Sequence, residues 1–351
     1  MIGCVSLPWA VLGEKSLQCQ PSSVLSLPAH LLRVYMVNPI EPRRQQQIID
    51  VVHWEADAEF GVFPQGARAK EAVFSPQRVE DVCITPSKRY LFKRSKKSYP
   101  DQYWGEIVAY RVGCAMGLQV PPAFAAYNSG TGHSAALIEW FYEPPERFVH
   151  AGDYMQRIVR DFDRTRGTQH TLAATQTLMR AFAKAGIFKQ DWKSWLAEMF
   201  AFDAVIGNTD RHQDNWGFIF SIENGEGVCR LSPLFDNGTS LGHERFTDRI
   251  NGWRDADFAN YISRGRHHMG ELRTDTCLSV PHMQMVGGVV TAWPKTRNNI
   301  TERLQLLDER LPDMLNDLVD MGGSVPLTED RARFMLRLLS LRLEALRTVI
   351  K

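Results

Sequence analysis

From residue 60 to about 142, short β-rich runs (FGVF, EAVF, YLFK, AALIEWF) alternate with turn-rich pieces such as PQGARAK and NSGTG, the pattern of a strand-rich lobe. One helix interrupts them. WGEIVAYRVGCAMGL sets Ile107, Tyr110, Val112, Cys114 and Leu118 mainly along one helical side and exits through Gly117 and VPP. From about residue 150 the period becomes helical, in TLAATQTLMRAFAKAGIF, DWKSWLAEMFAFDAVIG, TERLQLLDERLPDMLNDLVDM and TEDRARFMLRLLSLRLEALRTVI. Among these helices sits one hairpin, WGFIFSI and VCRLSPL, with a tight-turn signal at Asn224-Gly225. Residues 1–45 carry Pro21, Pro28, Pro39 and Pro42 without a sustained period and read as an irregular leader. The pattern predicts an α+β chain: the leader, a small strand-rich lobe with one helix over 46–145, and a larger, mainly helical lobe over 146–351.

Composition narrows this little. The 351 residues, 44% hydrophobic, can supply a buried core, and 41 Lys+Arg against 40 Asp+Glu give a net charge of +1, no global reason to sit on nucleic acid or an acidic membrane. The six cysteines form no CxxC pair or zinc spacing, which suits a reducing cytoplasm. The first residues lack a basic lead and are broken by Pro8, so no signal peptide is expected, and no uncharged apolar run reaches the roughly 20 residues of a membrane helix.

The chemistry concentrates in GNTDRHQDNWG, residues 207–217. If Ile222 pairs with Val228, antiparallel registration sets Asn215 opposite Phe235 and beside Asp236 at the open end of the hairpin. An amide oxygen and a carboxylate there suit one hard cation such as Mg²⁺, which keeps waters and substrate phosphates as its other ligands. Asp210, on the same loop, is then left as a base for an acceptor hydroxyl. Lys93, in RYLFKR, lies on a strand, and Glu106 opens the helix that follows. A Lys on a strand with a Glu on the next helix is an arrangement that holds an ammonium over phosphates. FPQGARAKEAVF can form a phosphate-covering turn, with Gly66 for close approach, Gln65 and Ala67 beside it, and Arg68 and Lys70 adding positive charge. ALIEWF, joining the lobes, offers backbone groups at Glu139, Trp140 and Phe141 to an adenine ring. His212 is expected to brace the loop, since a lone His beside Asp and Asn lacks the His or Cys partners of a zinc site. His267 and His268, being adjacent, are not expected to share a metal.

In order, PQGARAK, YLFK, GEIVAYRVG, ALIEW, NTDRHQDN and PLFDNG resemble the HipA-like kinases, bacterial serine/threonine kinases often found as toxins of toxin–antitoxin modules. The resemblance spans about 60–350 and implies a two-lobed protein-kinase-like fold with ATP and Mg²⁺ between the lobes. It implies Asp210 as catalytic base with His212 in the catalytic loop, Asn215 and Asp236 on Mg²⁺, Lys93 on the phosphates and residues 65–70 in the phosphate loop. The acceptor would be a Ser or Thr of a protein, and an antitoxin or small subunit would be the partner. In several relatives a serine opening the phosphate loop is autophosphorylated; here that stretch is Phe63-Pro64-Gln65. DRHQDN and FDNG also resemble segments of phosphatidylinositol kinases, so a lipid kinase is one alternative and a nucleotide-binding pseudokinase another.

Overall fold

The computed structural model describes residues 37–59, 69–186, 188, 190–270, 279–319 and 321–351. Expectations for FGVF and for Gln65, Gly66, Ala67 and Arg68 fall outside these. The first strands are β1 (Ile49–Asp50), β2 (Glu55–Ala56), β3 (Lys70–Phe74) and β4 (Arg89–Arg94); helix α1 (Trp104–Ala115) and strands β5 (Ala123–Asn128) and β6 (His133–Glu139) follow. Among the described residues these strands form one sheet in the order β1-β5-β6-β4-β3-β2, antiparallel except where β1 meets β5. Thr131 and Gly132 close the β5–β6 hairpin back onto Asn128, so the glycines there make a turn.

α1 is buried on every side. Its one-sided apolar stripe in the sequence under-reads this position, between β5 and β6 on one flank and two helices of the second lobe on the other. Even Arg111 is buried there, bonded to Asp317 at 2.7 Å. Residues 37–45 belong to the same compact unit as the lobes. Gln45 bonds both backbone groups of Ala125, and the Arg43 guanidinium meets Glu139. The last part of the expected leader is thus an extended strap on the sheet. Side-chain pairing without a hydrophobic period explains why the sequence pattern missed it.

The second lobe comprises β7 (Arg147–His150), α2 (Ala151–Ile158), α3 (Leu172–Lys184), α4 (Trp192–Ile206), β8 (Gly217–Glu223), β9 (Glu226–Leu231), α5 (Thr247–Ile250), α6 (Asp255–Ser263), β10 (Arg266–Gly270), β11 (Ser279–Pro281), α7 (His282–Ala292), α8 (Thr296–Arg310), α9 (Asn316–Val319) and α10 (Glu329–Val349). The first sheet ends at Glu139 and the second begins at Arg147. Asp191 caps α4 by accepting from Lys193 and Ser194 N–H, and Gly207 ends it at φ +70°, a left-handed position natural to glycine. An added Cβ at Gly207 would lie 2.5 Å from the Arg342 guanidinium. α4 is buried along nearly its whole length against α7 and α10, so the loop after Gly207 starts from a fixed base.

The hairpin register differs from the expected one. Ile222 pairs with Gly227, not Val228, and Glu223 with Glu226. Asn224 at φ +52° and Gly225 at φ +82° form a two-residue turn, which needs positive φ at both centres. The tighter turn shifts the pairing by one residue and would set Leu234, not Phe235, across from Asn215. What joins Asn215 to the segment around Asp236 is therefore not the strand ladder.

Candidate functional site

β4 and α1 bring Lys93 and Glu106 together. Lys93 Nζ lies 2.8 Å from Glu106 Oε1 and 2.7 Å from Asp236 Oδ1, with Lys93 4% exposed. The second Glu106 oxygen accepts the Asn237 N–H at 2.8 Å. One glutamate thus ties the first lobe's helix to the segment carrying Asp236. Asp236 sits at φ +58°, a left-handed position that short polar side chains tolerate, with its carboxylate on Lys93 and the next N–H on Glu106. Lys70 is the cross-strand partner of Lys93, so the chain enters this sheet opposite Lys93.

The loop is held from beneath by Arg211, fully buried although it lies in the most polar stretch of the chain. Its guanidinium grips Asp203 of α4 with two bonds, 3.0 Å from Nε and 2.8 Å from a terminal nitrogen. It also reaches Asn237 Oδ1 at 2.7 Å, and one terminal nitrogen donates to both Asn215 O at 3.1 Å and Phe235 O. A single nitrogen thus sets Asn215 beside the residue before Asp236, the juxtaposition expected from the hairpin but built by a guanidinium. Asp203 also bonds His267 and Asn208. Burial pushes the Asp203 carboxyl up, but Arg211 and the His267 hydrogen bond outweigh it and hold the group down at about 2.

Asp210 is half-buried on this frame. Its N–H donates to Asn208 Oδ1 at 3.0 Å, and its carbonyl accepts from His212 N–H and from Asn215 Nδ2. Because Asn215 gives its NH₂ to Asp210, its Oδ1 is the amide atom without a partner among the described residues. His212 Nδ1 accepts the Asp214 N–H at 3.2 Å, a loop brace. His267 pairs with Asp203 while His268 faces His170 and His212, so the two histidines do not converge.

At the lobe junction the N–H groups of Glu139 and Trp140 are already engaged, with Pro122 and Arg89 carbonyls. The Glu139 carboxylate meets Arg43, Thr85 and Tyr90. The Phe141 ring stacks on Phe235 with centroids 4.9 Å apart. Of the three junction residues expected at an adenine ring, Glu139 and Trp140 have structural bonds in the sheet, and Phe141 reaches Phe235, the residue before Asp236.

The donor set suits Mg²⁺. Asp236 offers a carboxylate and Asn215 an amide oxygen, both hard oxygen ligands. Among the described residues no three His, Cys, Asp or Glu form a self-contained metal cage. The remaining positions would fall to water and phosphate oxygens, as this ion prefers. Asp203, Arg211 and Asn237 were not singled out in the sequence. A signal existed: Asp203 is a lone carboxylate in the apolar run MFAFDAVIG, and a buried charge needs a partner.

Over 49 residues the chain is 39% identical to the serine/threonine-protein kinase CtkA of Helicobacter pylori, a match spanning 14% of either protein. The crystal structure of a Helicobacter pylori proinflammatory kinase CtkA superposes with a TM-score of 0.67 at 16% identity, covering 86% of this chain and 96% of that one, so the kinase fold is shared. HipA of Shewanella oneidensis MR-1, in complex with HipB and operator DNA, aligns with a TM-score of 0.45 at 15% identity, over 83% of this chain and 66% of that one. The model of the HipA-like C-terminal domain matches residues 63–293, a span that takes in both clusters just described, and the chain belongs to that family.

Proposed function

We propose that this chain is an ATP- and Mg²⁺-dependent protein kinase that transfers the γ-phosphoryl group of ATP to a serine or threonine hydroxyl of another protein. The observation that carries this reading is the Lys93 ammonium of β4 held between Glu106 of α1 and Asp236 of the segment after β9. Such a cation is available to phosphate oxygens while Glu106 keeps its position. Asn215 and Asp236 would hold Mg²⁺, which would neutralise charge on the phosphate oxygens. Asp210 orients the acceptor hydroxyl and takes its proton. The acceptor oxygen bonds to the γ-phosphorus, the bond to the bridging oxygen breaks, and its electron pair leaves with ADP. Arg211, fully buried, keeps the loops that carry Asp210, Asn215 and Asp236 in register. Cys83, Cys114 and Cys229 are buried free thiols, which suits the reducing cytoplasm.

The test is incubation with γ-labelled ATP, Mg²⁺ and a bacterial extract, beside Asp210→Asn. Labelled protein in the wild-type lane alone supports the reading. Label in lipid, or none in either lane, overturns it.

A further inference from the structure

Two cavities flank the residue before Asp210. The first, about 400 Å³, is lined in part by Gly207, Thr209, Arg245, Tyr261, Arg264 and Arg342. The second, about 390 Å³, shares Thr209 and Arg264 with it and adds Arg166, Arg266 and His268, with no carboxylate among the described residues of its lining. Together they make a groove along the catalytic loop that shares no residue with the Lys93–Glu106–Asp236 cluster.

Arg166 and Arg245 are paired with Asp163 and Glu244, but two other arginines of the groove have no ion pair among the described residues. Arg342 is 3% exposed, yet among the described residues it has no ion pair, only a hydrogen bond to the Ala204 carbonyl at 3.0 Å and the Tyr261 ring at 6.0 Å. Burial pushes its guanidinium down from the usual arginine range, with Tyr261 and Glu244 only partly opposing that. Arg264, at the junction of the cavities, is exposed, and its side chain has neither ion pair nor hydrogen bond among the described residues. The carboxylates lining the first cavity are Glu244 and Asp257. Glu244 is held by Arg245 and Tyr261, and Asp257 caps α6 by accepting the Arg254 N–H. A buried arginine without a carboxylate is costly unless an anion completes it.

We infer that this groove binds an oxyanionic side chain, carboxylate or phosphoryl, of the acceptor protein, close in sequence to the hydroxyl presented to Asp210. The inference rests on the kinase reading and adds a substrate class to it. A nucleic acid fits less well, since bases need open aromatic faces. Trp253 and Tyr261 are both covered by the Arg245 guanidinium, at 5.9 and 5.1 Å from the ring centroids.

The test is fluorescence anisotropy with labelled peptides, each one serine flanked by Glu, by phosphoserine or by Gln, and a labelled single-stranded oligonucleotide, against the full chain and Arg264→Glu. Arg264 is exposed, so this variant keeps its fold. The Glu or phosphoserine peptide should bind at least about tenfold more tightly than the Gln peptide, the scale of one charge-assisted contact. Arg264→Glu should bring that ratio close to one, and whichever anionic peptide binds more tightly identifies the group. Equal binding of the three peptides, tighter binding of the oligonucleotide, or a ratio untouched by Arg264→Glu overturns the inference. The same peptides with labelled ATP separate the two claims: an acidic preference in binding without phosphoryl transfer leaves the groove standing and sinks the kinase.

Discussion

Two buried cations, linked through Asn237 and Glu106, do opposite work in this fold. Arg211 is fully buried and bonded to Asp203, Asn237, Asn215 and Phe235. A planar guanidinium that cannot lose its proton, with its donors matched by fixed acceptors, has no freedom to change partners. Lys93 is almost as buried, but its compact ammonium sits between a closed carboxylate, Glu106 at 3%, and an open one, Asp236 at 23%. In the proposed function, Asp236 is the partner that would turn to a metal, leaving its place on Lys93 to phosphate oxygens. The comparison teaches that burial alone does not separate brace from reagent; the exposure of the partners does.

The largest effect should come from the brace. Arg211→Met leaves Asp203 as an uncompensated buried carboxylate, and unfolding free energy in urea should fall by about 3–5 kcal/mol. A loss below about 1 kcal/mol would mean the guanidinium is dispensable and the contrast false. Lys93→Met should do the reverse, lowering phosphoryl transfer by about 10²–10³-fold, typical of one lost electrostatic group at the reacting centre. Its melting temperature should drop less than that of Arg211→Met, because Asp236 can hydrate. Equal thermal losses in the two variants would erase the distinction.

Acid should sharpen the contrast. Burial lowers His268 to about 4 and His282 to about 3, and holds His170 well below its usual range. These histidines are neutral when folded and bind protons only when unfolded. Their stabilisation is complete above about pH 6.5 and is lost as pH falls, by about 1.4 kcal/mol per pH unit for each, until their folded values are reached. Asp203 behaves differently: its folded value is depressed, so its contribution is present above about 3.8 and is lost only as pH falls towards about 2. Urea unfolding at pH 7, 6 and 5 should show stability falling steadily; a flat profile would contradict the neutral burial of these rings.

Much of this was legible in the sequence where pattern and local chemistry agree. α1, α3, α4 and α10 follow from helical spacing, and Lys93 with Glu106 from a strand followed by a helix. β5 was missed because half of AFAAYN is alanine, a poor strand former, and α7 because HMQMVGGVVTA carries Gly287 and Gly288. The hairpin slipped by one residue because the pairing was counted from a longer loop than Asn224-Gly225 makes. The brace was invisible because its partners come from α4, the loop and the segment after β9, a convergence that spacing along the chain does not encode.

The smallest effect concerns His212. Its Nδ1 accepts one backbone N–H, so His212→Ala should cost about 1 kcal/mol of stability, the net worth of a hydrogen bond. Its loss of turnover should be far smaller than that of Lys93→Met. Activity as low as in Lys93→Met would move His212 from bracing into the chemistry.

The division of labour between Asp210 and Asp236 is most directly tested by calorimetry of ATP binding with and without Mg²⁺. Wild type and Asp210→Asn should both bind ATP more tightly with Mg²⁺, since Asp210 is assigned to the acceptor hydroxyl. Asp236→Ala should show little or no enhancement, because a neutral amide at Asn215 is left to hold an ion reluctant to shed its water. If Asp236→Ala keeps the full enhancement while Asp210→Asn loses it, base and metal ligand have been assigned the wrong way round.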